Sequence, residues 1–346
     1  MYTKNLTNLK SLREVELSLR GKVKIYLRSA KEIEDYLSKN PDEWGKFQSE
    51  FDSVVNGIFK DIMDFERVNI NTSNKEKVDK LKHLFINRIR KIFLKGNYNE
   101  WSFRKPYGYA GDFKIIDDIY QNNPKTMGFA RLFDNYFMMS AISVAVRNRK
   151  EDFKRLIIDF ANKNQEHKIR IMNLACGSCR DVKEIMSSDQ LVNKNIIFDC
   201  YDQDIKALEY AKNLLNDIPD VNFVQENALR IGVTKNLHSL IKFKYDLIYS
   251  TGLFDYLNYR ISERLISNLR KILNPNGLLI VSDVRDKYSN PSVHYMEWVG
   301  DWNLLYRDDN EFRKIFYDSG FCDNELKSLY EQQGIMQYMS ARKLKR

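Results

Sequence analysis

Long hydrophobic runs, cysteine and blocks of like charge are all scarce in this chain of 346 residues. Nowhere do about 18 apolar residues follow one another, so no membrane-spanning helix is expected. The opening stretch MYTKNLTNLKSLREVELSLR holds no uninterrupted apolar core of the kind a signal peptide needs. Four cysteines exclude a disulfide scaffold and fit a reducing compartment. These features predict a soluble, cytoplasmic protein with no transmembrane segment. Lys+Arg 56 outnumber Asp+Glu 47, giving a formal charge of +9. The local excesses at Lys4 to Arg28, Lys82 to Lys105, Arg147 to Arg155 and Arg342 to Arg346 nowhere reach a block of five like charges. They read as solvated helix faces, and nucleic acid is not the expected partner. What is present is an ordinary globular composition, 43% hydrophobic and 30% charged, in a chain long enough for two domains.

Two periods divide the chain. Trp44, Phe47, Phe51, Val54, Val55, Ile58, Ile62 and Phe65 recur at three and four, predicting a helix with one buried stripe. Ser73 with Glu76 forms a capping-box pattern before a second stripe, Val78, Leu81, Phe85, Ile89, Ile92 and Phe93, which Gly96 stops. A third helix, apolar on most sides and buried, is expected over about Met127 to Arg147. After about Lys168 short β-branched runs at 169–174, 196–201, 221–224, 245–249 and 278–281 alternate with helical stretches such as 204–215 and 262–273. That alternation predicts a mostly parallel sheet covered on both faces. The expected organisation is a helical N-terminal domain over 1–150 and an α/β domain over 151–346.

In an open α/β sheet the ligand lies beyond the carboxyl ends of the strands, so the first strand-to-helix turn is informative. It reads Asn173-Leu174-Ala175-Cys176-Gly177-Ser178-Cys179-Arg180-Asp181. A dinucleotide needs three glycines in G-x-G-x-x-G, and this turn has Gly177 alone. A phosphate-free cofactor, whose amino-acid end and ribose pass over the turn, needs one. The second run ends in Tyr201-Asp202, placing a carboxylate where it can accept both hydroxyls of a ribose.

With these residues the sequence resembles the class I S-adenosylmethionine-dependent methyltransferases over about 165–285. The likeness rests on the Gly turn, Asp202, Asn227-Ala228 after the third strand, Tyr245 to Ser250 as the fourth, and Asn274-Pro275-Asn276-Gly277 entering the fifth. It implies a Rossmann-like doubly wound methyltransferase sheet and S-adenosylmethionine as cofactor, held by Asn173, Ala175, Gly177, Asp202, Asn227, Ala228 and Ser250. Two positions depart from the family pattern: Asn173 replaces the usual Asp before the turn, and Cys179 a usual second glycine.

A narrower likeness lies in Lys105-Pro106-Tyr107-Gly108-Tyr109-Ala110-Gly111-Asp112-Phe113, in residues 252–257 and in residues 297–307. These resemble bacterial methyltransferases of the 3-hydroxypalmitic acid methyl ester group, which make an extracellular quorum-sensing factor. The resemblance implies carboxyl O-methylation of a small acidic molecule such as a hydroxy fatty acid, with the N-terminal helices supplying its pocket. Tyr107 and Tyr109 are expected in a lid over the cofactor, with Gly111 in a tight turn and Asp112 either bonding the cofactor's ammonium or capping the next helix. Carboxylate methylation needs alignment and water exclusion more than acid–base chemistry. Arg285, His294, Tyr295 and Arg307 are the candidate anchors, with His294 the base if the acceptor is a hydroxyl. Tyr107, Tyr295 and Arg307 are assigned to substrate, and His294, Arg285 and Tyr109 to the chemistry. Cys176 and Cys179 form a C-x-x-C, read as packing residues in preference to a redox or zinc site; no metal is expected. The alternatives are methylation of a protein side chain or RNA, or cofactor binding without turnover.

Overall fold

The computed structural model describes residues 12–69, 75–165, 168–193 and 195–345. Ser73 of the expected capping box, like Lys4 and Arg346 of the charge clusters, lies outside them. In chain order the helices are α1 Leu12–Leu37, α2 Gly45–Asn69, α3 Lys75–Phe85, α4 Lys91–Phe93, α5 Asn97–Arg104, α6 Phe113–Gln121, α7 Gly128–Met139 and α8 Ala141–Lys163. There follow β1 Ile169–Leu174, α9 Arg180–Met186, β2 Ile196–Asp202, α10 Ile205–Leu214, β3 Val221–Gln225, α11 Ala228–Val233, β4 Tyr245–Ser250, α12 Tyr259–Ile272 and β5 Leu273–Val284. The chain continues with α13 Val293–Trp298, α14 Asp309–Asp318, β6 Leu326–Tyr330 and β7 Met336–Arg342.

Two compact units result, each assembled from three segments: Met1–Gly111, Asn122–Ser143 and Asn290–Asn303 in one, Asp112–Gln121, Val144–Ser289 and Leu304–Arg346 in the other. The first is helical. Phe51, Val55, Ile58, Ile62 and Phe65 of α2 are buried, as the spacing predicts. The second stripe is not one helix. Its buried residues Leu81, Phe85, Ile89 and Phe93 are spaced by four, which drifts around a 3.6-residue helix. A π turn over Ile86–Arg90, between α3 and α4, takes up that drift and keeps them on one face. The expected third helix is likewise broken, at Ser140 between α7 and α8. The Ser140 hydroxyl donates to the Phe137 carbonyl at 2.7 Å, offering the backbone an alternative to the helix ladder. The interior is aromatic, with Phe93 against Phe133 at 5.5 Å and Tyr136 edge-on to Tyr295 at 4.9 Å.

The second unit is a seven-stranded sheet in the order β3-β2-β1-β4-β5-β7-β6. Strands β1 to β5 are parallel, while β7 is antiparallel to both β5 and β6. All five expected runs are strands, and the sheet is the Rossmann-like α/β fold predicted. The 274–277 turn is taken up into β5, whose register with β4 shifts between Tyr245 and Leu247. Sequence order reverses between β1 and β4, which makes their carboxyl ends the switch point where a ligand crevice forms. Asn173 and Tyr249 are partners across that pair.

Candidate active site

The turn after β1 is wound tightly. Ala175, Gly177 and Cys179 have φ of 55°, 55° and 54°, so every second residue is left-handed and two of the three carry a side chain. Such conformations cost on the order of 1–2 kcal/mol each and are kept where surrounding structure demands them. The demand is visible: the Cys176 N–H donates to the Tyr201 carbonyl at 3.0 Å and the Cys179 N–H to the Cys176 carbonyl at 3.1 Å.

Asp202 closes the turn from β2. Its carboxylate accepts from the Gly177 N–H at 2.9 Å and the Asp204 N–H at 2.9 Å. Burial pushes its carboxyl above the usual range, against those two hydrogen bonds. Asn173, at the end of β1, is buried, and its Nδ2 has no hydrogen-bond partner among the described residues. A buried amide without a partner is costly, and at a ligand crevice it marks a place for one. A carboxylate at the end of β2, an unsatisfied amide at the end of β1 and a strained one-glycine turn between them fit a ribose and an amino-acid end.

Hydrogen bonds within the fold fix several of the remaining expected cofactor residues. Asn227 caps α11, accepting from the Leu229 N–H at 2.7 Å, and Ala228 is the first residue of that helix. Ser250 is fully buried and donates to the Leu174 carbonyl at 2.8 Å, tying the ends of β4 and β1 together. Asp112 takes the capping role, its Oδ1 accepting from the N–H groups of Lys114 at 3.0 Å and Ile115 at 2.9 Å. Gly108 and Gly111 of the preceding segment have φ of 87° and 68°, and the Tyr107 ring lies 6.0 Å from that of Trp101. Tyr109 shares that segment and is half-buried.

Sequence reasoning missed how α6 is used. A Cβ placed on Gly177 would meet Phe113 at 3.8 Å, so α6 borders the turn directly. Asp117, fully buried, receives Arg180 Nε at 2.5 Å and Nη2 at 2.7 Å, and the Tyr210 hydroxyl at 2.7 Å. Burial opposes its charge, but Arg180 and Tyr210 outweigh that and hold its carboxyl below the ordinary range. Next to Arg180, Asp181 accepts from the Tyr249 hydroxyl at 2.7 Å, and burial raises its carboxyl to about 6. The C-x-x-C is joined by Cys200 from β2. All three thiols are buried; hydrogen bonds from Cys176 and Cys179 lower Cys200 to about 6, and burial raises the other two. Among the described residues no group of His, Cys, Asp or Glu is placed to hold a metal ion.

The four expected acceptor anchors belong to different units, each with its own partner. His294 is completely buried in the helical unit with Nε2 2.6 Å from Glu66 Oε2, and the Tyr295 hydroxyl beside it donates to Asn99. In the α/β unit Arg285 pairs with Asp309 at 2.9 Å and lies over the Tyr330 ring. Arg307 is buried, donating to Asp283 at 3.0 Å and to the carbonyls of Phe254 and Leu257. Within their own units, His294, Arg285 and Arg307 each face a carboxyl group, and Tyr295 an amide. The helical unit also has a small open apolar cleft lined by Val23, Ile62, Leu81 and Phe85 with Arg20 and Arg88; none of the expected site residues lines it.

Fold and site together define a doubly wound sheet with a buried carboxylate beside a one-glycine turn. The family described as "Methyltransferase domain" matches residues 145–346, more than half of the chain, and the chain belongs to it. It is an S-adenosylmethionine-dependent methyltransferase of class I. Among solved structures it is similar to a possible exported protein from Bordetella parapertussis, at 16% identity and TM-score 0.58, over 76% of this chain and 96% of that one. It is also similar to the CurJ carbon methyltransferase, at 15% identity and TM-score 0.47, over 62% and 58%. A third is magnesium protoporphyrin IX methyltransferase from Synechocystis PCC 6803 with bound SAM, at 13% identity and TM-score 0.40, over 59% and 84%. Among curated proteins none matches. No helix among the described residues is long and apolar enough to cross a membrane.

Proposed function

We propose that this methyltransferase O-methylates the carboxylate of a small acidic molecule, a hydroxy fatty acid of the 3-hydroxypalmitic class. The observation that supports this reading is α6. The segment at 105–113 carries the resemblance to the methyl ester group, and its final residue, Phe113, packs on Gly177 of the cofactor turn. The motif that distinguishes the group thus runs into the wall of the donor site.

Bound S-adenosylmethionine supplies a methyl group already activated by a sulfonium. The chain's part is to bind and orient. Asp202 takes the ribose hydroxyls, Asn173 and the backbone of Ala175 and Gly177 take the amino-acid end, and Asn227 with Ala228 forms the floor beside the base. A carboxylate acceptor is ionised at neutral pH, so no residue has to remove a proton; alignment and exclusion of water suffice. Ser250 serves by fixing the β1 and β4 ends, and His294 with Tyr295 by packing the helical unit. A cytoplasmic location belongs to the same reading and is supported by four free cysteines. The test is mass spectrometry of lipid extracts incubated with the enzyme and methyl-labelled donor. Labelled methyl 3-hydroxyhexadecanoate is expected; label in RNA or protein, with none in esters, refutes the reading.

A further inference from the structure

Arg149 lies on α8 at four-residue spacing from Ala145, Phe153 and Ile157, all fully buried, and is itself only 4% exposed. A cation on a buried stripe is expensive unless its charge and donors are met. They are met only in part. Nε has no hydrogen-bond partner among the described residues. Nη1 stands 3.9 Å from Asp255 Oδ2, beyond hydrogen-bond distance. The Tyr120 hydroxyl of α6 bonds both the guanidinium and Thr251. The terminal nitrogens lie over Gly252, two residues past β4, where a Cβ would come within 3.2 and 3.3 Å of them and φ is 108°.

The neighbouring carboxyl groups are held by other partners. Asp255 Oδ1 accepts from the Val284 N–H at 2.8 Å. Asp283 accepts from Arg307 Nη1 at 3.0 Å on both oxygens, and burial first, with Asp255 second, pushes its carboxyl well above the usual carboxylate range. Arg149 is left with one long contact to Asp255 and an Nε–H that has no partner among the described residues.

We propose that Arg149 is the receptor for a carboxylate bound beyond the carboxyl ends of β4 and β5, and that this carboxylate is the acceptor's. The strand order favours the acceptor over the donor: Asp202, which marks the ribose, ends β2, and both β1 and β4 lie between β2 and β5. Tyr120 and Gly252 act as positioning residues, the first by a hydrogen bond and the second by leaving room. The assignment rests on the acidic-acceptor reading above.

Calorimetry on the full chain tests it, with 3-hydroxyhexadecanoate, its primary amide and S-adenosylhomocysteine as probes against wild type, Arg149→Gln and Arg149→Lys. Wild type should prefer the acid to the amide; Arg149→Gln should lose about 100-fold in acid affinity and none for the amide or S-adenosylhomocysteine, with Arg149→Lys in between. In wild type itself, the Arg149 Nε–H resonance should move on adding the acid and stay put with the amide. That measurement stands even if a variant fails to fold, and an unmoved resonance overturns the proposal. A loss confined to S-adenosylhomocysteine assigns the receptor to the donor's carboxylate and overturns the acceptor role. Arg149→Gln with an undiminished acid preference overturns the proposal and leaves the acidic-acceptor reading intact; wild type without such a preference overturns both.

Discussion

Asp202 and Asp181 are both buried carboxyl groups within reach of the same turn, yet their surroundings ask different things of them. Asp202 has two backbone donors and, in the proposed function, takes the ribose hydroxyls. Replacing it by Ala should weaken S-adenosylhomocysteine binding about 10- to 100-fold by calorimetry, the range of hydrogen bonds to a charged group. Asp181 has one hydroxyl donor and full burial, and its folded value of about 6 lies above the unfolded 3.8. The native state therefore holds that proton more tightly, and the stability linked to it is present at low pH and lost as pH rises through about 6. Asp181→Asn keeps an oxygen for the Tyr249 hydroxyl and removes the buried charge. The variant should gain up to about 3 kcal/mol over wild type at pH 7.5, shrinking at pH 5, in urea unfolding curves. Equal gains at both values would show that the charge is not the cause.

At the scale of elements, α6 is joined to the sheet's first turn by a single buried carboxylate. Breaking such a pair on one side leaves Arg180 and Tyr210 without their acceptor, at a cost on the order of 3 kcal/mol. Asp117→Ala should show that loss in thermal or urea unfolding and weaken donor binding with it, since Phe113 borders Gly177. Because Asp117 is held below its ordinary value, its contribution is present above the unfolded carboxyl range and falls away as pH drops. The parallel strands were legible because central strands buried on both faces read as short apolar runs, β1, β2 and β4 among them, while the half-exposed edge strand β3 still carries Val221, Phe223 and Val224. β7 is just as buried but is composed of Met336, Gln337, Tyr338, Met339, Ser340 and Ala341, with no Val or Ile to announce it. The turn and Asp202 could be read from spacing; the Arg180 pairing of Asp117 could not, since it joins residues far apart in the chain. Arg149 did leave a signal, a cation at the same four-residue spacing as Ala145, Phe153 and Ile157, and it is visible once the stripe is followed through α8.

For the molecule as a whole, each unit is assembled from three stretches of chain. A fragment of residues 151–346 lacks α6, the first half of α8 and Arg149. It should show neither a cooperative urea transition nor donor binding; both appearing in such a fragment would mean that α6 is dispensable to the sheet. The surplus of positive charge also reads differently at this scale. Several Lys and Arg form ion pairs along exposed helix faces, such as Lys60 with Asp64 and Lys314 with Asp318, worth little individually. The buried guanidiniums carry the information.

The placement of β7 between β5 and β6 has a consequence for biogenesis. β5 is twelve residues long and buried along most of its run, and its outer neighbour is a strand made much later in the chain, with Leu278 opposite Arg342. While the ribosome is still reading the codons for residues 285–335, that edge of β5 has no partner, and an unpaired apolar edge is a template for association with another nascent chain. The docking of β7 is therefore the step that closes this edge and ends the interval in which β5 can pair with another chain.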